Sequence, residues 1–161
     1  MRHLKRLHQG GLTLIEVMVA MVIGVVLLAA GAPYFNDLIS NSRLRENGNL
    51  LLTETLIAQS EAIKRNTVVR LSTAGTSIQV IDMTVPATPV TLRERNTSGG
   101  VTLPTTTLNF GSEGRPTPFG SSGSIDVSAS SVVCSSDLRC PGLRVDAGGA
   151  VRLCPNQQSC V

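Results

Sequence analysis

Gly10-Gly11-Leu12-Thr13-Leu14-Ile15-Glu16 opens an apolar run that continues to Ala32 and stops at Pro33. The 21 residues from Leu12 to Ala32, as a helix, would cover about 31 Å, the thickness of a bilayer's hydrocarbon core. One side chain disturbs the run. An ionised Glu16 facing lipid would cost at least ~2.5 kcal/mol, so it requires a partner of opposite charge.

Three readings compete for this stretch. A secretory signal has an apolar region of about 7 to 15 residues followed by a small-x-small cleavage site. Ala30-Gly31-Ala32 has that form, but Pro33 would follow the cut, where its ring and missing N–H suit an extended protease subsite poorly. A plain membrane anchor leaves Glu16 unexplained. In the third reading a short basic leader is removed after Gly11, and the new α-ammonium of Leu12 lies one helical turn from Glu16. On the same or a neighbouring chain the two charges would neutralise each other inside the membrane.

The residues Gly11-Leu12-Thr13-Leu14-Ile15-Glu16-Val17 resemble the class III signal of type IV pilins and type II secretion pseudopilins, usually Gly followed by Phe-Thr-Leu-Ile-Glu. The resemblance implies that a prepilin peptidase cuts after Gly11 on the cytoplasmic side and N-methylates Leu12. It makes Glu16 the fifth mature residue, an assembly residue, and puts Pro33 where pilin helices often carry a kink. Leu12 departs from the usual phenylalanine.

Charge and cysteine usage agree with an exported subunit. The formal charge of +3 resides in the leader, because removing Arg2, Lys5 and Arg6 leaves eleven basic against eleven acidic side chains. Near neutrality gives no argument for a polyanionic partner. The leader charges would keep the chain's start in the cytoplasm and put the region after Pro33 outside; the resemblance implies a single-pass protein of the bacterial inner membrane with that region in the periplasm. All four cysteines lie in the last 28 residues, where an oxidising compartment would let them pair.

The spacings Cys134-x5-Cys140 and Cys154-x5-Cys160 differ from those of zinc sites, and His3 and His8 leave with the leader, so no metal or other cofactor is expected. Four cysteines allow three pairings. Two local loops, Cys134 to Cys140 and Cys154 to Cys160, are favoured because each brackets turn residues, with Cys134 to Cys154 as the competitor. Such bridges would staple a domain whose few aromatics give it a thin core.

Beyond Pro33 the helix is expected to resume from Phe35 to Arg65, with Gly48 as its main breaker. A helical wheel gathers Leu51, Leu52, Thr55, Leu56, Ala58, Ala62 and Ile63 on one packing face and turns Leu50 and Ile57 away beside Glu54 and Glu61. After Asn66, β-branched residues alternate with turns. Strands are expected at 67–71, 77–82, 90–95, 101–103, 108–110, 124–127, 132–133, 143–146 and 151–153, with a Gly-rich loop at 111–123. The fold class is α+β and pilin-like, a long N-terminal helix packed on an antiparallel sheet. Its organisation is a leader at 1–11, a transmembrane segment at 12–32, an amphipathic helix at 33–66 and a β-rich domain with the cysteines at 67–161.

Gln59-Ser60-Glu61-Ala62-Ile63-Lys64-Arg65-Asn66, with Val68 and Leu71, resembles the end of the long helix in GspH/FimT-type minor pilins, as does Leu108-Asn109-Phe110 before a Gly-rich loop. The resemblance implies a low-abundance subunit of a type IV pilus tip complex that primes assembly alongside other minor and major pilins. A type II secretion pseudopilin is the alternative. A further alternative is DNA capture, which one branch of the family associates with Gly-Arg-x-Arg. Here the stretch is Gly149-Ala150-Val151-Arg152, and Arg139, Arg144 and Arg152 are the candidate DNA-contacting residues.

The mature chain has no histidine, nucleophile elbow or phosphate-binding Gly-Lys-Ser/Thr, so catalysis is not expected. Mass spectrometry of the protein from its native membrane should find Leu12 as the first residue, methylated on its amine. A chain beginning at Met1 or Pro33 would contradict that processing.

Overall fold

The computed structural model describes residues 11, 13–130 and 133–160, and of residues 32–34 the backbone alone. Two compact units meet between Asn36 and Asp37. A single helix, α1 (Leu14–Arg65, 52 residues), carries both, and its backbone runs through Pro33 without ending. It stops where Asn66 takes a left-handed φ of 52°. The amide of Asn66 bonds the Ile63 carbonyl and that of Thr67 reaches the Ala62 carbonyl, each at 3.2 Å. This double closure satisfies two of the last four carbonyls of the helix, a task for which asparagine and glycine are the suited residues.

In the second unit α1 buries Leu44, Leu51, Glu54, Thr55, Ala58 and Ala62 together with Asn47. Steps of three and four put these on one face. The wheel expectation is corrected on its flank: Leu56 and Ile63 are 48% and 57% exposed, whereas Glu54 is 1% exposed. Counting apolar residues turned the packing face towards Leu56, because nothing local reveals that a distant strand supplies a counter-charge for Glu54.

The strands are β1 (Val69–Gly75), β2 (Ser77–Asp82), β3 (Val90–Asn96), β4 (Val101–Phe110), β5 (Gly123–Asp126), β6 (Ser128–Ala129), β7 (Gly142–Val145) and β8 (Val151–Cys154). They form a five-stranded sheet in the order β3-β2-β1-β4-β6 and a three-stranded sheet β5-β7-β8, where one sheet was expected. All the pairings are antiparallel. The first hairpin closes at Ala74↔Ser77, with Gly75 at φ +59° in the turn. That is a conformation glycine adopts without penalty.

Two expected short strands are one. β4 runs continuously over the ten residues from Val101 to Phe110, through Pro104. Proline is tolerated there because the β1–β4 register shifts between Thr73 and Gly75 and β6 pairs only with Val101 and Thr102, so no ladder bond needs the missing N–H. The Thr73 hydroxyl bonds the Pro104 carbonyl at 2.7 Å. Of the expected 132–133 strand, Val132 lies outside the described residues and Val133 is not in a strand; β6 forms at Ser128–Ala129 instead.

One apolar cluster joins α1 to both sheets: Leu51, Ala58 and Ala62 pack with Val69, Leu71, Ile78, Val80 and Phe110 of the larger sheet and Ile125, Leu143 and Val145 of the smaller. Polar side chains on α1 add specific ties. Asn47 donates to the Ser98 carbonyl at 3.2 Å and accepts from the Ser98 amide at 3.0 Å. Gln59 donates to the carbonyls of Gly114 and Gly149 at 2.9 and 2.7 Å, drawing two loops onto one helix position. Where the helix ends, Arg65 bonds Glu61 at 2.7 Å and Asp82 at 3.2 Å. The Arg65 guanidinium holds Glu61 below the usual carboxylate range. For Asp82 the Thr84 hydroxyl and amide do the same, ahead of Arg65.

Glu54 is the decisive tie. Arg93 grips it with two parallel bonds of 2.9 Å, and Arg95 stands 3.8 Å away. Arg93 and Arg95 lie opposite Val80 and Ile78 on the edge strand β3, so the edge presents inward-pointing charge, a feature that discourages pairing with another chain. The arginine side chains are 39% and 55% exposed against 2% for the carboxylate. Loss of Arg93 therefore strands a buried charge, whereas loss of Arg95 releases a weak contact. Arg93→Met should lower the thermal midpoint by roughly 5 °C or more and Arg95→Met by about 2 °C at most, checked by circular dichroism.

Candidate functional site

The first unit is built around the start of α1. Thr13 caps the helix: its carbonyl accepts from the amides of Glu16 and Val17 at 3.1 and 3.2 Å, and its hydroxyl accepts from the Glu16 amide at 3.4 Å. Thr13-x-x-Glu16 is thus a helix-start signature that the sequence reading passed over; the Ser/Thr-x-x-Glu pattern ahead of an apolar run would have disclosed it. Glu16 lies in the first turn, where a carboxylate also faces the positive end of the helix dipole.

Behind Glu16, the 18 residues Leu14–Gly31 have a mean hydropathy of 2.6, and none of them is buried within the protein. A helix of this length and composition left uncovered is not the core helix of a water-soluble domain; its apolar surface calls for a membrane or other helices. Glu16 is the sole charged side chain between Leu12 and Asn36. Gly11 and Glu16 are exposed, whereas Leu12 lies outside the described residues.

The other site candidates lie in the second unit. Cys134 is bonded to Cys140 and Cys154 to Cys160, each pair with Cα atoms 5.5 Å apart. Arg144 and Arg152 are direct cross-strand partners on β7 and β8 and line a shallow depression with Ser122, Ser124 and Asp146. Arg144 is engaged by Asp126 at 2.6 Å. Arg139 is not part of that strand pair: it sits in the Cys134–Cys140 loop, where its amide donates to Asn41 at 3.0 Å. Among the described residues no group of three or more His, Cys, Asp or Glu side chains is arranged to hold a metal ion.

An uncovered apolar helix with a lone carboxylate at its start, continuing into a domain of antiparallel sheets, defines a pilin-like subunit. Residues 6–32 match the prokaryotic N-terminal methylation motif, and residues 47–159 match the type II transport protein GspH. The chain belongs to the GspH family, and it is a minor pilin or pseudopilin of a type IV pilus or type II secretion system. In fold it is similar to the type IV minor pilin FimU of Pseudomonas aeruginosa in two crystal forms. One has a TM-score of 0.58 at 15% identity, covering 71% of this chain and 90% of that one. The other has a TM-score of 0.54 at 16% identity, covering 69% and 92%. No curated protein matches the chain in sequence.

The cap can be tested apart from the charge. Thr13→Val keeps the side chain's shape but removes the hydroxyl acceptor, so amide exchange at Glu16 and Val17 in detergent micelles should quicken roughly threefold or more, with residues 24–31 unchanged.

Proposed function

We propose that this chain is a low-abundance subunit that primes assembly of a type IV pilus from its tip complex. A prepilin peptidase removes residues 1–11 and methylates Leu12. Residues 12–32 then store the protein in the inner membrane, and 33–66 join that anchor to the β-rich domain of 67–161 in the periplasm. Assembly is mechanical: the subunit leaves the bilayer as Glu16 meets an α-ammonium group on its own or a neighbouring chain. Pro33 lies just past the membrane-spanning part, where it would ease bending of α1. The chain acts as a building block without catalysis.

The observation that carries this reading is the lone carboxylate one turn inside an uncovered apolar helix. In lipid its charge is costly unless paired, and a filament of like helices supplies the pairing that a dispersed monomer lacks. A second reading, a pseudopilin of a type II secretion system, is favoured by the family match over residues 47–159. The two share one mechanism and differ in the machine.

Glu16→Val should leave the protein in the membrane fraction at unchanged abundance while lowering surface pili at least about tenfold, the loss expected when a desolvated ion pair worth over ~1.4 kcal/mol is removed. A fall in secreted protein with normal piliation would assign the chain to the secretion system. Normal piliation and normal secretion together would refute the role of Glu16.

A further inference from the structure

The segment from Cys134 to Pro141 is fastened to one stretch of α1 at two points. At the first, Asn41 uses both ends of its amide: Nδ2 donates to the Asp137 carbonyl and Oδ1 accepts from the Arg139 amide, each at 3.0 Å. At the second, Pro141 occupies the space that a side chain on Gly48 would need. A Cβ there would stand 2.8 Å from Pro141 Cγ, 3.1 Å from Pro141 Cβ and 3.5 Å from Leu153 Cδ1. Gly48 is therefore a seat rather than a break. Asn41 and Gly48 are two helical turns apart, about 10.5 Å, and so share a face of α1.

The Cys134–Cys140 bridge lies within this fastening, and Cys140 is fully buried. The second loop braces the first. The Gln157 amide donates to the Cys140 carbonyl at 2.7 Å, Gln158 Nε2 to the Cys134 carbonyl at 3.3 Å, and Asn156 Nδ2 to the Ser135 carbonyl at 3.5 Å. Cys154–Cys160 closes the loop that bears these three donors. Asn41's partners are thus presented by one bridged loop that is supported by another. Further along α1, Leu51, Ala58 and Ala62 belong to the apolar core formed with both sheets, where Cys140 of the first loop is one member among many.

We propose that the two disulfide loops form an oxidation-dependent latch on residues 41–48 of α1. Closing each bridge joins two cysteine sulfurs; the two electrons and two protons pass to a disulfide-bearing oxidant, which leaves as a dithiol. Before closure the loop lacks the fixed shape that presents the Asp137 carbonyl and the Arg139 amide to one side chain. Residues 41–48 then keep Leu44 in the core and Asn47 on Ser98 but lose the fastening at Asn41 and Gly48, while 51–62 stay packed. Oxidation therefore sets how firmly the membrane-proximal turns of α1 are held to the domain. The latch is independent of which filament the chain enters.

Hydrogen exchange on the full chain in detergent micelles, oxidised and after reduction with dithiothreitol, tests this. Reduction, or the double change Cys134→Ser and Cys140→Ser, should speed amide exchange at 41–48 roughly tenfold, the equivalent of two ordinary hydrogen bonds, with less than about twofold change at 55–62. Asn41→Leu and Gly48→Ala disturb the fastening with both bridges intact, and each should raise exchange in the same stretch. Unchanged exchange at 41–48 on reduction would overturn the latch, as would a rise spread evenly from 41 to 62. If the serine variant does not fold, an unaltered 41–48 in both Asn41→Leu and Gly48→Ala would overturn it equally.

Discussion

One helix has to satisfy two surroundings, and the rest of the structure follows from that constraint. A helix bonds its backbone groups internally, so it can leave protein for lipid without exposing an unpaired N–H or C=O. Only its side chains need change. From Leu14 to Gly31 they are apolar but for Glu16, whereas beyond Asp37 they carry a packing face that mixes Leu44, Leu51, Ala58 and Ala62 with Asn47 and Glu54. The helix is thereby an anchor at one end and a template for the strands at the other.

The template works through two kinds of contact. Small apolar residues such as Ala58 and Ala62 let the sheets approach closely, and burial of the cluster around them supplies the non-directional stabilisation. Polar groups then fix which loop goes where: Asn41 takes the Cys134–Cys140 loop, Asn47 the Ser98 turn, Glu54 the edge strand β3, and Gln59 the loops at Gly114 and Gly149. Fastened at intervals along the helix, a domain whose only aromatic side chains are Phe110 and Phe119 holds a defined arrangement of two sheets. At Gly149 a φ of 90° brings the β7–β8 turn so near the loop before it that an added Cβ would stand 2.9 Å from the Gly114 carbonyl oxygen.

The same logic bears on the candidate sites. Thr13 and Glu16 begin the helix by local bonding, so the lone carboxylate is located by the helix start itself. Arg144 and Arg152 face each other because β7 and β8 pair in that register. Asp126 then occupies Arg144, which leaves the pair less positive than a count of arginines suggests. The cysteine bridges, though local in sequence, act at a distance by holding a loop against Asn41 and Gly48.

What the chain's order of residues determined alone are the features that depend on near neighbours or on solvent. These include the length of the apolar run, the lone carboxylate within it, the helix end near Asn66, the β-rich second half and the placing of the cysteines. Each arises from periodicity, turn chemistry or transfer between water and lipid, all of which act within a few residues. Tertiary structure decided the rest: that Glu54 faces inward, that β4 passes through Pro104, that the strands divide into two sheets, and that Asn41, Gly48 and Gln59 are fastening points. For Glu54, Pro104, Asn41, Gly48 and Gln59 the deciding partner lies about 30 to 100 residues away, and whether a polar group is buried or solvated depends on whether folding brings that partner within hydrogen-bonding reach.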